Sequence, residues 1–197
     1  MEKIRVKVIT PYEGLGQLVQ KFAPLYPNYD LTVAYGDLTD GVERAKNAES
    51  DGIDIILSRG GTADLIEKTV SIPVLKIGVS GYDILRTIML TNTYTGKVAI
   101  AGFDSITHGC RAISDLLQKN IEIFTIDTTD EVENMMQRLK QEGFNTVVGD
   151  VVTTTAAKKM GLNCLLVTSG EESVRAALDE VARYMKYLKE SRDQNRL

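Results

Sequence analysis

Short apolar runs rich in valine and isoleucine alternate with longer amphipathic segments along all 197 residues, and this rhythm constrains the fold more than any other feature of the chain. A β-branched run bounded by turn formers reads as a strand. When each strand is followed by a stretch with helical spacing, the crossover brings the chain back to the same edge of the sheet, so successive strands run parallel. Eight strands are predicted, at residues 4–9, 31–34, 53–57, 74–77, 97–101, 121–125, 146–148 and 164–167. Helices are expected near 12–23, 39–49, 63–69, 81–92, 105–118, 130–142, 153–160 and 171–190.

The second four units restate the first four. Residues 53–62 (IDIILSRGGT) run from strand through polar turn to helix start, and residues 145–153 (NTVVGDVVT) do the same. Later in each half comes Ser80-Gly81-Tyr82-Asp83 or Ser169-Gly170-Glu171-Glu172, both of the form Ser-x-x-acid that satisfies the first free amides of a helix. The fold class is therefore α/β, as two similar Rossmann-like lobes, each a four-stranded parallel sheet with flanking helices, with a cleft between them. A single eight-stranded sheet is the competing reading. The expected division is residues 1–92, an N-terminal lobe, residues 93–170, a C-terminal lobe, and residues 171–197, a helix crossing back to the first lobe. The hinge is placed in the turn-rich stretch 91–96 (TNTYTG), with a second crossing near Gly170. In the last helix Val174, Leu178, Val181, Met185 and Leu188 form a seam at alternating spacings of four and three. Either its start covers a lobe and its end a second copy, making a homodimer, or the whole stripe packs on the chain's own sheet.

Charge and composition remove several functions. With 23 Lys and Arg against 27 Asp and Glu, the net charge is −4, and no long run of one sign offers a surface to nucleic acid. Arg5, Lys7 and Asp54 interrupt the apolar runs well short of the about 18–20 residues that span a bilayer. The start, MEKIR, has no apolar signal core, so a cytoplasmic location without membrane contact is expected. Cys110 and Cys164 lack CxxC spacing and read as buried, reduced thiols. A lone histidine, His108, excludes a histidine-rich metal site. Neither a phosphate-binding loop nor Gly-x-Gly-x-x-Gly occurs, so no cofactor is called for.

In open parallel sheets ligands gather beyond the carboxyl ends of the strands, where helix N-termini present free amides. Ser58, Arg59, Gly60, Gly61 and Thr62 form the most informative such turn: the glycines let a ligand approach the backbone, and an arginine can clamp a carboxylate in two parallel hydrogen bonds. Ser80, Gly81 and Tyr82 follow the fourth strand, and Phe103, Asp150, Thr153 and Ser169 occupy the equivalent loops of the second half. Hydroxyls, amides and one arginine suit a small oxygenated acid. No acid, base and nucleophile set emerges. Paired carboxylates such as Asp37 with Asp40 sit at helix starts as caps, and His108 reads as a helix-face or cleft residue. Lys186, Lys189, Arg192 and Arg196 make a weak basic stripe on the last helix.

Residues 58–66 (SRGGTADLI), Ile72-Pro73-Val74 and residues 80–85 (SGYDIL) resemble the N-terminal receptor domain of propionate-catabolism activators, and Thr146-Val147-Val148-Gly149 with Val174-Arg175 extends the resemblance over nearly the whole chain. The resemblance implies the sensory module of an NtrC-type, sigma-54-dependent transcription activator, with two chelatase-like lobes around an effector cleft. It further implies a methylcitrate-like organic acid as effector, and control of a downstream AAA+ ATPase that remodels sigma-54 RNA polymerase. No Walker motif or helix-turn-helix is found here, so ATP binding and DNA binding are expected of a C-terminal part, with residues 189–197 as the linker. The Arg59-Gly60-Gly61 turn is more basic than the family's. A cofactor-free lyase or synthase acting on a small acid, and a free-standing binding protein, are the rival readings.

Overall fold

The computed structural model describes residues 3–194. The strands are β1 (Ile4–Thr10), β2 (Tyr29–Tyr35), β3 (Ile55–Ser58), β4 (Val74–Lys76), β5 (Lys97–Gly102), β6 (Glu122–Thr125), β7 (Phe144–Gly149) and β8 (Asn163–Leu166). The helices are α1 (Glu13–Phe22), α2 (Leu38–Ala45), α3 (Gly60–Glu67), α4 (Gly81–Leu90), α5 (Asp104–Leu116), α6 (Val132–Gln141), α7 (Val151–Lys159) and α8 (Glu171–Gln194). Every pairing is parallel, in two sheets of four strands ordered β2-β1-β3-β4 and β6-β5-β7-β8. A single eight-stranded sheet is thereby excluded. Both sheets carry the same order because each half of the sequence repeats the same four units.

The strands at the centre of each sheet are covered on both faces, which explains their nearly unbroken apolar runs. Val6, Val8, Ile9, Ile55, Ile56 and Leu57 are fully buried in one sheet, as are Ala99, Ile100, Ala101, Val147 and Val148 in the other. In β7 the register slips by one residue, and the extra residue, Asn145, accepts the Lys97 amide through its side chain at 3.0 Å.

The chain divides into two compact units, and the boundaries differ from those expected. The first unit holds the residues through Gly78 together with those from Ser169 onward, and the second runs from Val79 to Thr168. Helix α4 therefore belongs to the second unit: Ile84 and Ile88 pack with Ile100, Ile106, Cys110, Val148 and Val167. Gly109 lies against Ile84 with no room for a Cβ, which sets α4 close on α5. The stretch 91–96 is a turn inside the second unit, where a 3₁₀ turn prolongs α4 and the Thr91 hydroxyl donates to the Ile88 carbonyl at 2.6 Å.

Helix α8 packs on the first unit. Val174, Ala177, Leu178 and Val181 close a core with Val6, Val8, Leu15, Val19, Ile55 and Leu57. Two stacked tyrosines fasten it: the Tyr26 hydroxyl donates to Asp179 at 2.7 Å, and the Tyr29 hydroxyl donates to the Leu178 carbonyl at 2.7 Å while accepting the Ala182 amide at 3.1 Å. Further along, Met185 and Tyr184 are partly buried against that core, and Tyr187 is exposed. Arg196, and the end of the linker expected over 189–197, lie outside the described residues. Cys110 is buried, Cys164 half-buried, and both are free thiols. No described helix is long and apolar enough to cross a membrane.

Candidate functional site

In the first unit the carboxyl ends of β1, β2 and β3 bring together Thr10, Tyr12, Asp37 and the turn from Ser58 to Thr62. Arg59 is the N-cap residue of α3 in extended conformation, only 5% exposed. It donates through Nη1 to the Tyr12 hydroxyl at 2.6 Å, with its guanidinium carbon 5.3 Å from that ring's centroid. Gly60 follows at φ +54, a left-handed conformation natural to glycine, and a Cβ there would meet nothing within 4 Å. The first turn of α3 carries no acidic residue. Helices α1, α2, α4, α5, α6 and α8 each place at least one acidic residue in the first turn, and α7 is capped by Asp150. At α3 the first turn lacks a carboxylate and the N-cap residue is an arginine, so the positive end of the helix field and the side chain add.

Two residues of the same turn serve the fold. Ser58 is fully buried and donates to the Ile9 carbonyl at 2.7 Å. Thr62 accepts the Leu38 amide at 2.9 Å and donates to Asp37 at 3.1 Å, which ties the start of α2, including the left-handed Leu38, to α3. Their hydroxyl hydrogens are engaged, so Ser58 and Thr62 shape the turn. At the end of β1 the Thr10 hydroxyl is buried with no hydrogen-bond partner. Such an orphan attracts water or a ligand. Ser114, Thr146 and Thr153 carry orphaned hydroxyls too, and Ser114 and Thr146 lie away from the carboxyl edges.

Ser169 departs from the sequence reading in two ways. It belongs to the first unit, and its side chain does not cap α8: the hydroxyl donates to the Gly78 carbonyl at 2.7 Å, while its amide donates to the Tyr12 hydroxyl at 3.0 Å. Tyr12, absent from the expected set, thus joins Arg59 to the start of α8. Sequence reading missed it because a tyrosine between a strand and a helix looks like ordinary apolar cover.

Ser80, Gly81 and Tyr82 lie in the second unit. Ser80 and Asp83 form the expected capping box, with bonds of 2.8 and 3.2 Å, and Tyr82 is 66% exposed. Phe103 is the N-cap residue of α5 and packs on the apolar core beside α6. Asp150 caps α7 by accepting the Thr153 amide at 2.8 Å, and the Thr153 hydroxyl is buried without a partner. His108 lines a groove of about 390 Å³ with Val79, Gly81, Ile84, Asp104 and Ser105. Among the described residues no group of three or more His, Cys, Asp and Glu is placed to hold a metal ion.

Comparison with known proteins decides the family. The family model described as propionate catabolism activator matches residues 26–191, most of the chain. The chain belongs to that family. A solved NtrC family transcriptional regulator from Clostridium acetobutylicum is similar at 30% identity, over 94% of this chain and 98% of that one, with a TM-score of 0.81. The chain is accordingly a sensing domain of a transcriptional regulator. A Streptococcus ABC domain solved in complex with L-Trp shares the fold at 9% identity and a TM-score of 0.50, over 92% of this chain and 85% of that one.

Proposed function

We propose that this propionate catabolism activator domain senses a small organic acid of the methylcitrate type and controls the activity of an AAA+ ATPase and a DNA-binding output in the full-length, sigma-54-dependent regulator. The observation that carries the reading is the start of α3, where a 95%-buried arginine, two glycines and a first turn free of carboxylates occupy the carboxyl edge of the first sheet. A carboxylate there would take charge-assisted hydrogen bonds from Arg59 and backbone amides from Gly60 and Gly61. The Thr10 hydroxyl offers a further partner.

In the second unit Ser80, Gly81, Tyr82, Phe103, Asp150 and Thr153, the last with a buried hydroxyl that has no partner, are the candidate ligand contacts of that unit's own loops. Ser169 couples the site to the start of α8. The domain itself is read as non-catalytic and cytoplasmic, contacting polymerase and DNA through the full-length protein alone.

Thermal-shift measurements with 2-methylcitrate, citrate, succinate and propionate test the proposal. An acid at about a hundred times its Kd adds about 2.7 kcal/mol, which raises Tm by about 5 to 10 °C for a chain of this size. Arg59→Ala should abolish the shift. No shift with any acid, or an undiminished shift in Arg59→Ala, refutes the site. Consumption of a bound acid by the isolated chain would instead favour the enzyme reading.

A further inference from the structure

The Tyr12 hydroxyl accepts two hydrogen bonds and donates none among the described residues. A phenolic oxygen accepts up to two hydrogen bonds and donates one. Both acceptor places at Tyr12 are filled, by Arg59 Nη1 at 2.6 Å and by the Ser169 amide at 3.0 Å. The hydroxyl's own hydrogen finds no acceptor among the described residues. The residue is half-buried, beside a nearly buried arginine.

Resting on the acid-sensing reading of this edge, we propose that Tyr12 is a further ligand-contacting residue: its hydroxyl gives its one hydrogen to a carboxylate oxygen of the bound acid, while the same oxygen holds Arg59 and the Ser169 amide in place. With both lone pairs committed to donors, the phenol cannot turn around to accept from a ligand; it discriminates for acceptor groups and against donor-only groups such as ammonium. Donation to an anion also strengthens the bonds the oxygen accepts, because hydrogen bonds in series polarise one another. One of those accepted bonds comes from the residue at which the chain returns to the first unit. Ser169 is in turn fastened to Gly78, at which the chain leaves it. Occupancy of the acid site is therefore felt at the start of α8 through a single oxygen atom.

Tyr12→Phe removes the hydroxyl and keeps the ring. The 197-residue chain, its Tyr12→Phe variant and its Arg59→Ala variant are titrated with citrate by calorimetry, with Tm and circular dichroism confirming the fold, and amide exchange is followed at Ser169. We expect Tyr12→Phe to fold, to bind citrate about ten- to hundredfold more weakly, the weight of one hydrogen bond to a charged group, and to exchange the Ser169 amide faster even without citrate. In the parent, citrate should slow that exchange further. If Tyr12→Phe binds citrate as tightly as the parent while Arg59→Ala does not bind, the inference falls and the acid site stands. If neither citrate nor 2-methylcitrate binds the parent, the acid site falls and takes the inference with it. An unchanged Ser169 exchange rate in Tyr12→Phe overturns the inference independently of any ligand. Should the variant unfold, Tyr12→His, which retains a ring donor, must recover part of the citrate affinity for the proposal to survive.

Discussion

Tyr26 shows how one side chain ties stability to pH. Burial, reinforced by the hydrogen bond and the charge of Asp179, pushes its hydroxyl from an ordinary value of 10.0 up to about 12. An acid whose folded pKa lies above its unfolded one favours the protonated fold, so its contribution is complete below pH 10 and disappears as pH rises toward 12. Tyr26→Phe should therefore flatten the loss of stability between pH 10 and 12 in denaturant melts. An alkaline limb as steep as the parent's would refute that assignment. Cys110, held at about 11 by burial against a smaller opposing pull from Arg111, should react with thiol reagents at pH 8 only as fast as the protein opens. A reaction faster than unfolding would show that the second unit's core admits reagent.

Helix α4 is the element whose assignment has the most to lose. Ile88 is fully buried among residues of the second sheet, so Ile88→Ala should cost about 2 to 5 kcal/mol, with amide exchange rising in β5 and β7 and unchanged in β1 and β3. Faster exchange in β3 instead would return α4 to the first unit. Gly149, where a Cβ would run into the Ala101 carbonyl oxygen, makes a parallel test of β7 against β5: Gly149→Ala should destabilise by about 1 to 3 kcal/mol through forced separation, read as a lowered Tm. All eight strands and eight helices were legible as β-branched runs and helical spacings, and the Ser80–Asp83 box was legible because capping is local chemistry. Which sheet a helix meets is not local. The Ile84 and Ile88 stripe announces an apolar face without naming its partner, which is why the division was expected after residue 92. The same limit hid Tyr12, whose role depends on Arg59 and Ser169, 47 and 157 positions away. Ser169 looked like a cap because its spacing to Glu172 imitates one, and only the fold shows its hydroxyl turned to Gly78.

At the level of the whole chain, each unit receives the helix that follows the other's fourth strand. The second unit is continuous in sequence, from Val79 to Thr168, and holds β5 to β8 with α4 to α7. A fragment covering 79–168 should melt cooperatively on its own, whereas one covering 93–170 should not, since without α4 the face formed by Ile100, Ile106, Val148 and Val167 is exposed. Equal melting of the two fragments would contradict this account.

The first unit is discontinuous, and that bears on how the protein is made. Its sheet leaves the ribosome early, but the helix that covers Val6, Val8 and Ile55 emerges only after the ninety residues from Val79 to Thr168 have been translated. At about 5 to 20 residues per second, that is an interval of about 5 to 20 s in which the newborn amino-terminal half has a bare apolar face. A chaperone that shelters the nascent chain has its natural footprint there, and slow codons near residue 169 would lengthen the exposure.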